Sequence, residues 1–234
     1  MSENSNFESY LFKSPKKFII LINEGFDYKE IYKKEFIVDN NSNQIDYQSL
    51  DIFLKSNIFE IEKKIKDFIN KFHLIVESDY FFITQISSKK KNNKGYLSMN
   101  DVIYSLNEIK DSCKKTLEDK KIIHMIIQKF IIDNNEYLTL PEDLKCDNFS
   151  INVKFITLSD NLLKILENIL KKYQISINHI LNAEYVKSIE NEDQDDLFKM
   201  SLKIIDGHNE NEVLIIPKLI KNKGFFERFF NFFS

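Results

Sequence analysis

Apolar residues change their spacing repeatedly along this chain, and that alternation restricts the fold more than any other feature of the sequence. Phe18 to Ile22 is a short unbroken apolar run, and Ile31 to Val38 a second β-like stretch reached through Asn23, Glu24 and Gly25. Both have the length and composition of strands. From Ser49 the spacing switches to threes and fours, with Leu50, Leu54, Ile58, Ile61, Ile65, Phe68 and Phe72 on one helical face and Lys and Glu between them. The stripe fits a short coiled coil or a helix lying on a sheet. Strand-like residues 74 to 86 follow at once, and this favours the helix on a sheet.

The pattern continues to residue 181. KKKNNK at Lys89 to Lys94 has the composition of a solvated hairpin tip, with a binding patch as the competing explanation. A second helix is predicted from about Met99, capped by Asn100 or Ser98, with Val102, Leu106, Ile109 and Cys113 inward. Lys121 to Asp133 and Phe149 to Thr157 are β-rich and are separated by a loop containing Pro141. A third helix begins at Ser159 or Asp160 and carries Leu162, Leu163, Leu166, Ile169 and Leu170, and Ile175 to Leu181 is again β-like. Residues 190 to 196, ENEDQDD, suit a solvated linker or the first turn of a helix over Leu197 to Ile205, with Gly207 at its C′ position.

Composition excludes several classes of function. In 234 residues there are 33 Lys and Arg against 36 Asp and Glu, so nucleic acid is not the expected partner. Hydrophobic residues at 43% suffice for an ordinary core and rule out disorder. Arg228 is the sole arginine and Ala183 the sole alanine, in a chain rich in Ile, Lys and Asn. Such a skew is expected of an AT-rich genome, and it lowers the information carried by any lysine run. Four dispersed glycines, Gly25, Gly95, Gly207 and Gly224, cannot build a phosphate-cradling loop. No cofactor is expected.

Cys113 and Cys146, with no leader pattern at the N-terminus, predict free thiols and a reducing compartment. Cys113 with His124 could be a nucleophile and its base, but a cysteine on an apolar helical stripe is more usually a core residue. His73, His124, His179 and His208 are scattered without metal-ligand spacing, and the acidic run lacks the glycine of a calcium loop, so neither catalytic nor metal residues are expected. His124 is expected to pack or hydrogen-bond at a sheet.

The C-terminus, GFFERFFNFFS at 224 to 234, is the strongest physical signal. On a helical wheel Phe225, Phe226, Phe229, Phe230, Phe232 and Phe233 fall within an arc of about 160°, leaving Glu227, Arg228, Asn231 and Ser234 on the other side. Eleven residues cannot span a bilayer. They can lie in its interface, with Lys218, Lys221, Lys223 and Arg228 near anionic head groups. Each Phe contributes up to about 1.5–3 kcal/mol if fully buried, and each juxtamembrane Lys about 1 kcal/mol. Docking of this helix on the protein's own core is the competing explanation.

Residues 120 to 181 resemble the bacterial cell-division protein FtsA, an actin-like family, around its 1C subdomain. The family's His-x-Ile-Pro-Gln-x-Tyr-x-Ile-Asp strand is matched by His124, Ile126, Ile127 in place of Pro, Gln128, Phe130, Ile132 and Asp133. Its next loop falls on Pro141, Asp143, Leu144 and Cys146 with both glycines replaced, and its next strand on Val153, Phe155, Ile156 and Thr157. Asn161 to Tyr173 and then Gln174, Ile175 and Ile177 match the following helix and its end. A membrane-targeting helix after a basic linker is likewise a feature of that family.

The resemblance implies an α+β fold: a partial actin-like 1A-type sheet with helices, an inserted strand-helix-strand-strand 1C-like module, and a C-terminal amphipathic helix. The divisions are a tail (1–16), a 1A-like region (17–79), the module (80–158), a return to the 1A-like region (159–185), a loosely attached connector with one short helix (186–223) and the amphipathic helix (224–234). The family's Asp-x-Gly-Thr phosphate loop is replaced by KFIILINEGFDYKEI, and its second half, including the part that binds the FtsZ tail, has no counterpart. What the resemblance implies is thus a non-enzymatic adaptor at the cytoplasmic face of the bacterial inner membrane, at the division site. Its implied partners are an anionic membrane surface, division proteins (FtsZ or later ones) and further copies of itself. The surface around Lys89 to Met99 and the Asn134 to Cys146 loop is where such partners are expected. A peripheral adaptor unrelated to division and an actin-like ATPase are the alternatives.

Overall fold

A computed structural model describes residues 7–24, 29–38, 46–92, 95–141, 145–189 and 196–213. The chain starts with two adjoining strands, β1 (Phe7–Lys13) and β2 (Lys17–Glu24), paired antiparallel around a tight turn in which the Ser14 hydroxyl accepts the amides of Lys16 and Lys17. β3 (Lys29–Ile37) pairs with β2, and α1 (Tyr47–Ile65) then crosses to β4 (Lys71–Val76), which lies parallel to β1. Much later β9 (Ser176–Asn182) adds in parallel to β4, giving the order β3-β2-β1-β4-β9.

Between β4 and β9 the chain builds a second sheet. β5 (Phe81–Lys91), α2 (Met99–Thr116), β6 (Lys120–Ile132), β7 (Asn135–Tyr137) and β8 (Asn148–Ser159) form a four-stranded sheet in the order β5-β8-β6-β7, covered on one face by α2. Asp133 and Asn134 both take positive φ, as a two-residue hairpin between β6 and β7 requires. The Asp133 carboxylate accepts the amides of Asp147 and Asn148, which ties that turn to the start of β8. α3 (Asp160–Lys171) returns the chain to the first sheet, and α4 (Ala183–Ser188) and α5 (Leu197–Ile205) complete the described part.

Strand alternation divides the first sheet between two cores. Leu11, Phe18, Ile20, Ile22, Phe72, Leu74 and Val76 face α1 and α3. Tyr10, Phe12, Ile19, Leu21 and Ile75 face α4 and α5. Each fully buried large apolar side chain contributes about 1.5–3 kcal/mol, so both faces hold the sheet in place. The α+β class expected from the sequence is therefore present.

Several local expectations are corrected. Phe7–Lys13, inside the stretch expected to be a tail, is the central strand of the first sheet. The α1 stripe stops earlier than its spacing suggested: Lys66 takes the left-handed conformation, Phe68 is 75% exposed, and Phe72 belongs to β4. Residues 74 to 86 are parts of two strands in different sheets, separated by a turn at Asp79 and Tyr80. Lys89 to Lys91 continue β5 and pair with β8 instead of forming a hairpin tip. Nor is α5, within the stretch expected to be a loose connector, loosely attached, because Phe198, Met200 and Ile204 are buried against the first sheet. Gly207 does end α5, with φ +84°; its amide reaches Ile204 O and that of His208 reaches Lys203 O, a Schellman arrangement.

Candidate functional site at the junction of the sheets

The described part of the chain ends at a polar junction. A register shift in β6 between Ile122 and His124 turns the His124 imidazole inward, where it is almost wholly buried. Its Nε2 accepts the Asn182 amide at 3.1 Å. Because a backbone N–H can only donate, the ring proton sits on Nδ1, which donates to Glu212 Oε1 at 2.6 Å. The Tyr185 hydroxyl donates to Glu212 Oε2 at 2.6 Å and accepts from Asn209 Nδ2 at 2.8 Å. Burial, then the Glu212 carboxylate, pushes the Tyr185 hydroxyl well above the usual tyrosine range. Asn182 also caps α4 by accepting the Tyr185 amide.

Backbone bonds complete the junction. Ile127 N–H donates to Asn211 O, Val213 N–H donates to Met125 O, both at 2.8 Å, and Glu212 bridges Ile126. Residues 211–213 thus add to the free edge of β6. One imidazole thereby links the second sheet, the end of the first sheet and the last described segment, residues 211–213. All its polar atoms are engaged, so the arrangement is a fixed connection with no open position for a reacting group.

A second cluster lies on the α4 and α5 side of the first sheet. His73 Nε2 meets Glu8 Oε2 at 2.8 Å, and its Nδ1 meets His179 Nδ1 at 3.1 Å with the rings stacked. The bond from His73 holds the Glu8 carboxyl below its usual range, and burial, then His73, pushes His179 down. His73 uses its two nitrogens in opposite directions, so the three groups do not converge on a point, and no metal-binding group is present among the described residues.

Lys13 is a third site of chemical interest. It is fully buried at the end of β1, its Nζ has no hydrogen-bond partner among the described residues, and burial pushes its pKa down to about 7. A cleft of about 590 Å³ between β5 and α2, bordered on α2 by Glu108, Asp111 and Lys115, has charges of both signs and does not include Lys13.

The expected membrane-binding residues Phe225, Phe226, Phe229, Phe230, Phe232, Phe233, Lys218, Lys221, Lys223 and Arg228 lie outside the described residues, as does most of the acidic run. The two surfaces expected to meet partners are brought side by side: Tyr96 bridges Lys145, whose Nζ lies 5.1 Å from the tyrosine ring, and Cys146 N–H donates to Gly95 O. Exposed Met99, Ile103 and Tyr104 continue that surface onto α2. Cys113 and His124 are not brought together as a catalytic pair. Cys113 packs under α2 with its thiol pushed up by burial, and His124 is held at the junction. The Glu8–His73–His179 cluster and buried Lys13 were missed from the sequence, since nothing in it placed residues 7–13 inside the sheet.

No protein-family model matches the chain, and no curated protein sequence matches it. Among solved structures, it is similar to a chain of the PilM-PilN type IV pilus biogenesis complex, with a TM-score of 0.48 and 8% identity over 76% of this chain and 48% of that one. It is also similar to the cytoplasmic domain of EpsL, an inner-membrane component of the type II secretion system of Vibrio cholerae, with a TM-score of 0.39 and 10% identity over 80% of this chain and 60% of that one. A Bacteroides thetaiotaomicron protein with an actin-like ATPase fold and unknown function gives a TM-score of 0.36 and 12% identity, over 79% of this chain and 56% of that one. The chain thus spans about half to three fifths of these structures. One of these three structures is described as having an actin-like ATPase fold, and none is described as FtsA. The fold class is α+β, a five-stranded sheet with a four-stranded sheet and α2 inserted between β4 and β9.

Proposed function

We propose that the protein is a non-enzymatic peripheral membrane adaptor of the bacterial cell-division machinery, FtsA-like, holding division proteins at the cytoplasmic face of the inner membrane. One observation carries the membrane half of this proposal: the complete segregation of six phenylalanines from Glu227, Arg228, Asn231 and Ser234 on a helical wheel, downstream of Lys218, Lys221 and Lys223. The junction supports it mechanically. The last described residue, Val213, is hydrogen-bonded to Met125 of β6, so a load carried along the chain to this point would pass directly into the second sheet. Among the described residues, no helix is long and apolar enough to cross a membrane. The division half rests on the resemblance around His124, Gln128, Phe130, Ile132 and Asp133.

Co-sedimentation with anionic vesicles tests the membrane half. The full chain should pellet, whereas a chain ending at Lys223 and the Phe229→Asp, Phe230→Asp variant should stay in the supernatant. If all three behave alike, the membrane proposal is wrong. A fluorescent fusion tests the second half: accumulation at the septum supports a division role, and even distribution around the envelope leaves an adaptor of another membrane assembly. Stoichiometric ATP binding by calorimetry would instead restore the actin-like ATPase.

A further inference from the structure

The second sheet has one covered face and one that no described helix covers over most of its length. Ile151, Val153 and Phe155 of β8 point to α2, so Ser150, Asn152 and Lys154 point the other way. Residues paired directly across strands share a face. Ser150 is paired with Lys89 and Ile131, Asn152 with Ser87 and Lys129, and Lys154 with Gln85 and Ile126. Lys91, two residues beyond Lys89, lies on the same face. The centre is therefore made of short polar side chains, with the Ser87 hydroxyl bonded to Ser150 Oγ and Asn152 Oδ1, and lysines surround it. Lys129 pairs with Glu136, whereas Lys89, Lys91 and Lys154 have no carboxylate partner among the described residues.

This face adjoins the end of the described residues. Ile127, which receives residue 211 on the edge of β6, is two positions from Lys129, and Val213 is bonded to Met125 on the same edge. We propose that the lysine-rimmed face of the second sheet is a second contact with an anionic bilayer, lying against the head groups once the tail is inserted and so fixing the orientation of the molecule. The inference rests on the membrane proposal above and extends it. Charge complementarity, and the position of Val213 on the edge of this sheet with the six phenylalanines 12 to 20 residues further along the chain, select a bilayer as the occupant. The low, polar centre lets a plane of head groups approach without apolar insertion, so the contact adds electrostatic attraction that salt screens.

The test uses the full chain on vesicles of phosphatidylglycerol and phosphatidylethanolamine, and on phosphatidylcholine alone. Replacing Lys89, Lys91 and Lys154 by Gln should weaken binding to the anionic vesicles at least about tenfold and leave binding to phosphatidylcholine unchanged. Replacing Lys110, Lys114 and Lys115 of α2 by Gln removes the same charge from the opposite side of the sheet and should change binding less than about twofold. Arginine at positions 89, 91 and 154 should retain wild-type binding, which separates charge from disturbance of the fold. Equal losses in the two glutamine variants, or no loss in either, would overturn the proposal while leaving the tail as anchor. Unchanged binding of the Phe229→Asp, Phe230→Asp variant would remove the tail and keep the face. A full chain that binds neither vesicle removes both.

Discussion

The two sheets are built from the same residue types but are covered differently. The first sheet has α1 and α3 on one face and α4 and α5 on the other, and β2 accordingly reads as the unbroken run Phe18 to Ile22. The second has α2 on one face, and β5 accordingly alternates between half-buried and exposed positions from Thr84 to Lys91. Burial on both sides makes a sheet a scaffold, and burial on one side leaves the other for recognition. The contrast predicts that substitutions on corresponding faces have very different costs. Leu21→Ala, on the α4 and α5 side of the first sheet, should destabilise by about 2–5 kcal/mol. Asn152→Ala, on the uncovered side of the second, should change stability by no more than about 0.5 kcal/mol. Urea unfolding of the two variants measures the difference, and similar costs would abolish the distinction.

Lys13 sharpens the same contrast, because a lysine buried at the end of the central strand is tolerated only at the cost of desolvation. Its pKa falls from 10.5 unfolded to about 7 folded. Between those values the unfolded chain binds more protons, so stability rises with pH across the window, by at most about 1.4 kcal/mol per pH unit. Below about pH 7 the lysine is protonated in both states and the full penalty applies. Lys13→Met should therefore stabilise the protein most at pH 7 and progressively less towards pH 9.5. Paired denaturant titrations at several pH values would show a constant gap if Lys13 Nζ were well solvated.

The junction couples the two sheets, and its removal should loosen the boundary more than either core. His124→Ala leaves the Asn182 amide and Glu212 without their partner, at about 1–3 kcal/mol. Hydrogen exchange at the Ile127 and Val213 amides should accelerate, because both bond across the seam that Glu212 anchors. Slow exchange at both positions in the variant would mean that the backbone pairing holds without the imidazole.

How far the sequence revealed this architecture follows from the same asymmetry. Helices with a single apolar stripe, such as α2 with Val102, Ile109 and Cys113 buried, were legible to within a residue or two at their starts. The α1 end was not, because Phe72 continues the fourfold spacing across a left-handed Lys66 into a strand. β1 was missed because Glu8, Ser9 and Lys13 make Phe7–Lys13 look polar, although Glu8 is matched by His73 and Lys13 is buried without a hydrogen-bond partner among the described residues. The resemblance singled out His124 and Asp133 but not their roles. Those depend on Glu212, Asn182, Asp147 and Asn148, which are distant in sequence and become neighbours only after both sheets have formed.

The smallest effect concerns the helices that cover the sheets. α2 is the cover of the second sheet, and its start is held by a capping box: the Asp101 amide donates to the Ser98 hydroxyl, and the Asp101 carboxylate accepts the Ser98 amide. α1 is held by Asp46, which accepts the Ser49 amide at 2.9 Å. Ser98→Ala and Asp46→Ala should each cost about 1 kcal/mol, but in different ways. The first two turns of α2 carry exposed Met99, Ile103 and Tyr104, so loss of its cap should appear as local fraying, with fast exchange confined to those turns. Leu50, Phe53 and Leu54 lock the first turns of α1 into the core between the first sheet and α3, so loss of its cap should lower global stability without a separate fast-exchanging segment. Fraying of the same extent in both variants would show that α2 is held as firmly as α1, and that the second sheet is less one-sided than its burial pattern indicates.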